Sequence, residues 1–149
     1  MFDHLLIVYQ QRLNVVDLVN NAEAYLARAA WYARCERYSK GVLNCNEAIR
    51  ICPNLVRAYL YRGCLKYSIR LYDHAINDLT KALQIDPSCS HAYYNRALCY
   101  IRRRNLSYAL KDFAIVLCLA SSIKNSIVNC TNVIHYPSKI IHILSLVLD

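Results

Sequence analysis

A chain of 149 residues, 56% of them hydrophobic and with two glycines and three prolines, can bury a real core and has little loop to spare, which excludes a disordered or linker-like protein. Its net charge of +8 admits acidic proteins, RNA or an anionic surface as partners without selecting one. The eight cysteines form no CxxC pair, the start MFDHLLIVYQQRL is not a secretory leader, and no run reaches the ~20 apolar residues of a membrane span, so a cytoplasmic chain with buried, reduced thiols is expected and the sequons at Asn105 and Asn129 carry no meaning.

Residues 1–21 contain no alanine. LLIVY and the later Leu13, Val16 and Leu18 suit one or two helices that cover the neighbouring stretch of chain, although Gln11 and Asn14 stand where a repeat would want packing residues. From Ala24 the pattern changes. The hexapeptides AYLARA, AYLYRG and AYYNRA begin at Ala24, Ala58 and Ala92, each 34 residues after the last. A second echo, EAIRICP and KALQIDP, ends at Pro53 and Pro87 with the same spacing. A fixed period of this length means stacked supersecondary units, none of which can bury its apolar face alone.

Each unit reads as two amphipathic helices. Apolar residues recur at three and four, as in Tyr59, Gly63, Tyr67 and then Tyr72, Ala75, Ile76, Leu79, Ala82, Leu83. Small residues hold fixed places: Ala29, Gly63 and Ala97 in the first helices, Gly41, Ala75 and Ala109 in the second. They let the paired helices approach, while Tyr25, Tyr59 and Tyr93 fill the space between units. Pro53 and Pro87 stop the second helix, since proline lacks the amide donor and disfavours helix at the residue before it. First helices are predicted near 22–35, 56–69 and 90–103, second helices near 38–51, 72–85 and 106–118.

These residues resemble the tetratricopeptide repeat family. The middle unit carries the pattern at Tyr59, Gly63, Ala75, Leu79, Ala82 and Pro87, the first at Tyr25, Ala29, Tyr32, Gly41, Ala48 and Pro53, and the third at Tyr93, Ala97, Tyr100, Ala109, Phe113 and Val116. The third unit has Ser121 where the proline belongs, and Arg28, Arg62 and Arg96 occupy a place where the family often has Leu. The resemblance covers residues 22–120, as units 22–55, 56–89 and 90–120, and implies an all-α, right-handed superhelical solenoid. From Ser121 onward there is no alanine, glutamate or arginine, and IIHILSLVL reads as apolar on all sides. Residues 121–149 are therefore expected to be a non-repeat tail, foreign to an array that is a fragment or short product of a longer one; folding back as an irregular cap is the alternative.

No chemistry is expected. Gly41 and Gly63 cannot build a phosphate-cradling loop, the histidines and cysteines lack metal-ligand spacing, Asp73 and His74 point apart on a helix, and Asp78 and Asp112 read as repeat surface positions. The expectation is a non-enzyme with no cofactor, metal or small-molecule substrate.

In the family the first helices line a concave groove. By position, the peptide-binding residues here are Leu26 and Arg34, then Arg57, Leu60, Tyr61 and Tyr67, then Tyr94, Asn95, Leu98 and Arg102. Some members clamp the carboxylate end of chaperone tails with lysines and asparagines. The corresponding places hold Leu26, Ala30 and Tyr61, and Asn95 alone fits, so an amphipathic helix or extended apolar segment of another protein is the better occupant. The repeats hold fifteen Lys and Arg against seven Asp and Glu. Arg37 and Lys40, Lys66 and Arg70, and Arg103 and Arg104 cluster near the turns within units, a basic edge for acidic proteins, RNA or membrane surfaces. Leu26, Leu60 and Leu98 are poor base readers, so RNA ranks second. The resemblance thus implies a scaffold or adaptor in a larger assembly, with a ciliary or centrosomal one among the family's settings.

Overall fold

The computed structural model describes the backbone of residues 2–126 and the side chains of Asp17 and residues 19–120. Cys130 and the run IIHILSLVL lie outside the described residues, as do the side chains of Gln11 and Asn14. Six helices succeed one another: α1 Phe2–Arg34, α2 Tyr38–Ile51, α3 Val56–Ser68, α4 Tyr72–Ile85, α5 Ser90–Arg102 and α6 Leu106–Ser126. There is no strand among the described residues. Within a unit α1 packs on α2, α3 on α4 and α5 on α6. Between units α2 packs on α3 and α4 on α5, and the first helices touch directly, α1 to α3 and α3 to α5. This is an all-α repeat solenoid.

The four inner helices lie within a residue of the sequence-based limits, and the two outer ones are longer than expected. The reason is local. α2 ends at Ile51 and α4 at Ile85, with Cys52 and Asp86 drawn to extended ψ angles of 87° and 95° ahead of Pro53 and Pro87. Thirty-four residues before Pro53 stands Val19, and 34 after Pro87 stands Ser121. Neither can stop a helix. α1 therefore runs unbroken through residues 2–34 rather than starting near residue 22, and α6 passes the expected end at 118 to reach Ser126.

The turn inside each unit has its own signature. Glu36, Arg70 and Arg104 take φ of 57°, 64° and 58°, again at a 34-residue period. In each, the next residue's amide reaches back to a carbonyl five residues earlier: Arg37 to Tyr32, Leu71 to Lys66 and Asn105 to Tyr100, at 2.8–2.9 Å. This satisfies the last carbonyls of the first helix, in a left-handed position where glycine is usual.

The core runs as three linked clusters along the stack. Ala22, Leu26, Ala29, Cys45, Ala48, Ala58 and Leu65 form the first. Tyr59, Ala75, Leu79, Ala82, Leu83, Ala92 and Cys99 form the second, and Ala97, Ala109, Phe113 and Val116 the third. The small residues act as expected. A Cβ on Gly63 would lie 2.8 Å from Leu79 Cγ, and one on Gly41 3.0 Å from a Leu65 methyl. Burial pushes the Cys45 and Cys99 thiols up to about 12 and Cys64 to about 11, so they are neutral packing groups.

Candidate functional site

The first helices form one face, and their 34-residue register sorts its side chains into rows. Glu23, Arg57 and His91 make the first row; Ala27, Tyr61 and Asn95 the second; Ala30, Cys64 and Leu98 the third; Arg34, Ser68 and Arg102 the last. Cross-links between helices hold it. Arg57 Nη1 donates to Glu23 Oε2 at 2.9 Å, joining α3 to α1, and the Arg57 guanidinium lies 5.9 Å from the Tyr61 ring centre. Arg102 Nε donates to the Tyr67 hydroxyl at 3.0 Å, joining α5 to α3, and this bond holds the guanidinium's pKa above its ordinary value. Asn95 Nδ2 donates to the His91 carbonyl at 2.7 Å.

Of the ten groove residues read from the sequence, the face brings together Arg57, Tyr61, Tyr67, Asn95, Leu98 and Arg102, with Arg34 exposed at its edge. Tyr61, Tyr67 and Leu98 are half-buried, each packed against one core cluster with part of its surface outward. Of the row Leu26, Leu60 and Tyr94, the first turns fully inward, while Leu60 and Tyr94 are half-buried. Leu26 is 1% exposed, a full member of the first core cluster, and is corrected from groove to core. Leu60 packs on the second cluster, and the Tyr94 ring meets Phe113 of α6 edge-on at 5.8 Å. A helix face that borders both the groove and the unit's own second helix gives its side chains to whichever is closer, and periodicity alone does not decide which.

Of the basic edge, Arg37, Lys40, Arg70, Arg103 and Arg104 are all exposed at the turns within units. Arg103 is paired with Asp73 at 2.9 Å. Lys66 is corrected: it folds inward to Asp78 Oδ2 at 2.7 Å, its side chain 17% exposed.

Asp78 and Asp112, read from the sequence as surface positions, are buried. Arg62 grips Asp78 with Nε and Nη2 at 2.9 and 2.6 Å, and its Nη1 donates to Asn46 of the preceding helix at 2.8 Å. Arg96 repeats this on Asp112 at 2.8 Å twice and on Thr80 at 3.1 Å. Each arginine thus ties three helices, its carboxylate and its neutral acceptor both 16 residues away, and stacks over Tyr59 or Tyr93 at 5.5 Å. The signal was present as Arg and Asp recurring in step. Arg28 has Asn44 in place of the acid and rests over the Tyr25 ring at 5.7 Å. Two of the arginines that replace the usual Leu, Arg62 and Arg96, therefore fork onto the acid of their own unit and reach with Nη1 to the preceding one.

No group of three metal-binding side chains occurs among the described residues. No described helix is long and apolar enough to cross a membrane.

Neither a protein-family model nor a curated protein sequence matches the chain. Solved structures do. The second TPR of Spaghetti (RPAP3) bound to the HSP90 peptide SRMEEVD is similar at 23% identity and a TM-score of 0.65, over 66% of this chain and 92% of that one. The Arabidopsis OM64 TPR domain gives 22% and 0.68, over 70% and 87%. The type III secretion translocator chaperone SycD of Yersinia enterocolitica gives 13% and 0.71, over 87% and 96%. With the 34-residue register, the paired helices and the small residues between them, these likenesses establish that the chain has the tetratricopeptide-repeat fold.

Proposed function

We propose that the chain is a protein-interaction scaffold that takes a helix or extended segment of another protein along the face of α1, α3 and α5, as part of a larger assembly. The observation that carries this is the arrangement of Tyr61, Tyr67 and Leu98. All three lie half-buried on one face, and Tyr67 is held by Arg102 across two helices at 3.0 Å. Aromatic rings pre-oriented in this way bury much area on binding at little entropic cost. Arg57 and Arg102 beside them favour acidic flanks on an apolar ligand. The HSP90 peptide belongs to the Spaghetti domain. In this chain the clamp places hold Ala30 and Tyr61 and a Leu26 sunk in the core, so a chaperone tail is not the proposed ligand.

Affinity capture with the full chain, followed by mass spectrometry, supplies the ligand. Replacing Tyr61 and Tyr67 with alanine should abolish its capture while the helical signal persists, and the peptide SRMEEVD should bind neither form. Neutralising Arg70, Arg103 and Arg104 should weaken capture modestly and mainly at low salt, because exposed charges are screened within ~8–10 Å. The reverse ranking would favour the second reading, supported by the exposed arginines at the turns: a basic edge for RNA or an acidic surface. Retained capture in both variants would point to a structural segment working only within a longer repeat protein.

A further inference from the structure

Between the start of α4 and the end of α5 the turn edge opens into a cleft of about 290 Å³. Asp73, Ile76 and Asn77 line one wall, and Tyr100, Arg103 and Asn105 the other. The fold does not ask for this lining. Asn77, Arg103 and Asn105 occupy the places that Leu43, Ile69 and Leu71 hold at the first junction, 34 residues earlier, around a turn of the same geometry. Three positions that are apolar there are polar here, and their polar groups are unspent. Among the described residues neither the Asn77 nor the Asn105 carboxamide makes a hydrogen bond. Asp73 and Arg103 pair at 2.9 Å with side chains 65% and 53% exposed, and an exposed pair is weak enough for either member to turn to a ligand. Tyr100 stacks on Tyr108 with ring centres 5.3 Å apart and planes at 30°, which sets an aromatic wall beside the amides.

Cations stand around the cleft. Arg104 of the same turn and Arg70 of the preceding one are exposed, and among the described residues neither side chain makes a hydrogen bond or ion pair. This division of groups narrows the ligand. An acidic peptide or an anionic headgroup would bring negative charge against the Asp73 carboxylate. A nucleotide keeps its two kinds of group apart: an uncharged base to be read by polar side chains, and a phosphate to be held by cations. Carboxamides and carboxylates accept from the amino groups of adenine and cytosine, which uracil lacks. The volume, at the lower limit of the roughly 300–1,000 Å³ of small-molecule sites, suits one base rather than a cofactor.

We propose that the turn edge binds single-stranded nucleic acid, with an adenine or cytosine base in the cleft against Asn77, Asn105 and Asp73 and the flanking phosphates on Arg70 and Arg104. The strand is single because a paired base has no free edge to offer. This site lies apart from the face of the first helices and stands whether or not that face takes a protein segment.

The test is fluorescence anisotropy of the full chain with labelled cytidine and uridine RNA oligomers of about twelve nucleotides, over a salt series. The cytidine oligomer should bind at least about fivefold more tightly, the low end of what one good amide–base pair discriminates. N77L/N105L installs the leucines of the first junction and should erase that preference while leaving the salt dependence as it was. R70A/R104A should weaken both oligomers alike and reduce the slope of log K on log salt by about 1.4, two phosphates at ~0.7 each. A deoxycytidine oligomer run beside them separates DNA from RNA as the source of the base, and preferential binding of either supports the proposal. Should N77L/N105L fail to fold by circular dichroism, N77A takes its place, alanine being the best helix former, and should reduce the preference. Absence of binding, equal affinity for cytidine and uridine, or a preference that the folded variant leaves intact would overturn the site. So would polyglutamate binding as tightly as the cytidine oligomer, which would make an acidic protein the partner.

Discussion

Replacing Asp112 with alanine removes both acceptors of the Arg96 fork and leaves Nε and Nη2 unpaired in a side chain only 17% exposed. Breaking a buried pair from one side costs about 3–5 kcal/mol. Arg96 keeps its bond to Thr80 and its stacking on Tyr93, and water reaches its exposed rim, so about 2–4 kcal/mol is expected. Urea unfolding followed by circular dichroism should show the midpoint fall by roughly 1–2 M with little change in slope. The double variant R96L/D112A removes the orphaned cation and should recover much of the loss, giving a coupling of about 2 kcal/mol in the double-mutant cycle. Arg28 serves as the internal control, since it lacks a carboxylate partner: R28A should change stability by less than about 0.5 kcal/mol. A cost below about 0.5 kcal/mol for D112A, or strict additivity in the cycle, would refute this tie.

Gly63→Ala should already destabilise, because its Cβ would stand 2.8 Å from Leu79 Cγ, and Gly63→Leu or Ala97→Leu should cost ~1–3 kcal/mol in the same urea assay; a parent-like melt would disprove the close helix approach. Arg70→Gly should raise stability by about 0.5–1 kcal/mol, since φ of 64° suits glycine, and a lower midpoint would show that the arginine side chain outweighs the backbone strain. At pH ~8 a thiol reagent should label exposed Cys35 and Cys118 at once and Cys45 and Cys99 only on unfolding. Because folding raises the Cys45 and Cys99 pKa from 9.0 to about 12, the folded state holds those protons longer; this contribution is full below pH 9.0 and is lost as pH rises toward about 12, so the melting temperature should fall through that window, less steeply in a C45A/C99A variant.

What the sequence alone determined is the repeating part. Spacing of 34, the small residues at Ala29, Gly63 and Ala97, and Pro53 and Pro87 are local or periodic signals, and each acts through its own backbone or its immediate neighbour helix. They sufficed for the helix pairs and for the helix ends at Ile51 and Ile85. The outer limits of α1 and α6 were also present in the sequence, as Val19 and Ser121 in place of prolines, but as missing stops, which are weaker signals than stops. Tertiary structure decided which way the borderline side chains turned. Leu26, Leu60 and Tyr94 share one register, yet Leu26 is sunk in the core while Leu60 and Tyr94 stay half-buried, a difference that periodicity does not carry. Asp78 and Asp112 carry a charge that by itself favours water, and they are buried because Arg62 and Arg96, 16 residues away, reach them from the neighbouring helix. A charge is placed by its partner, and the partner is a matter of three-dimensional proximity rather than of local pattern.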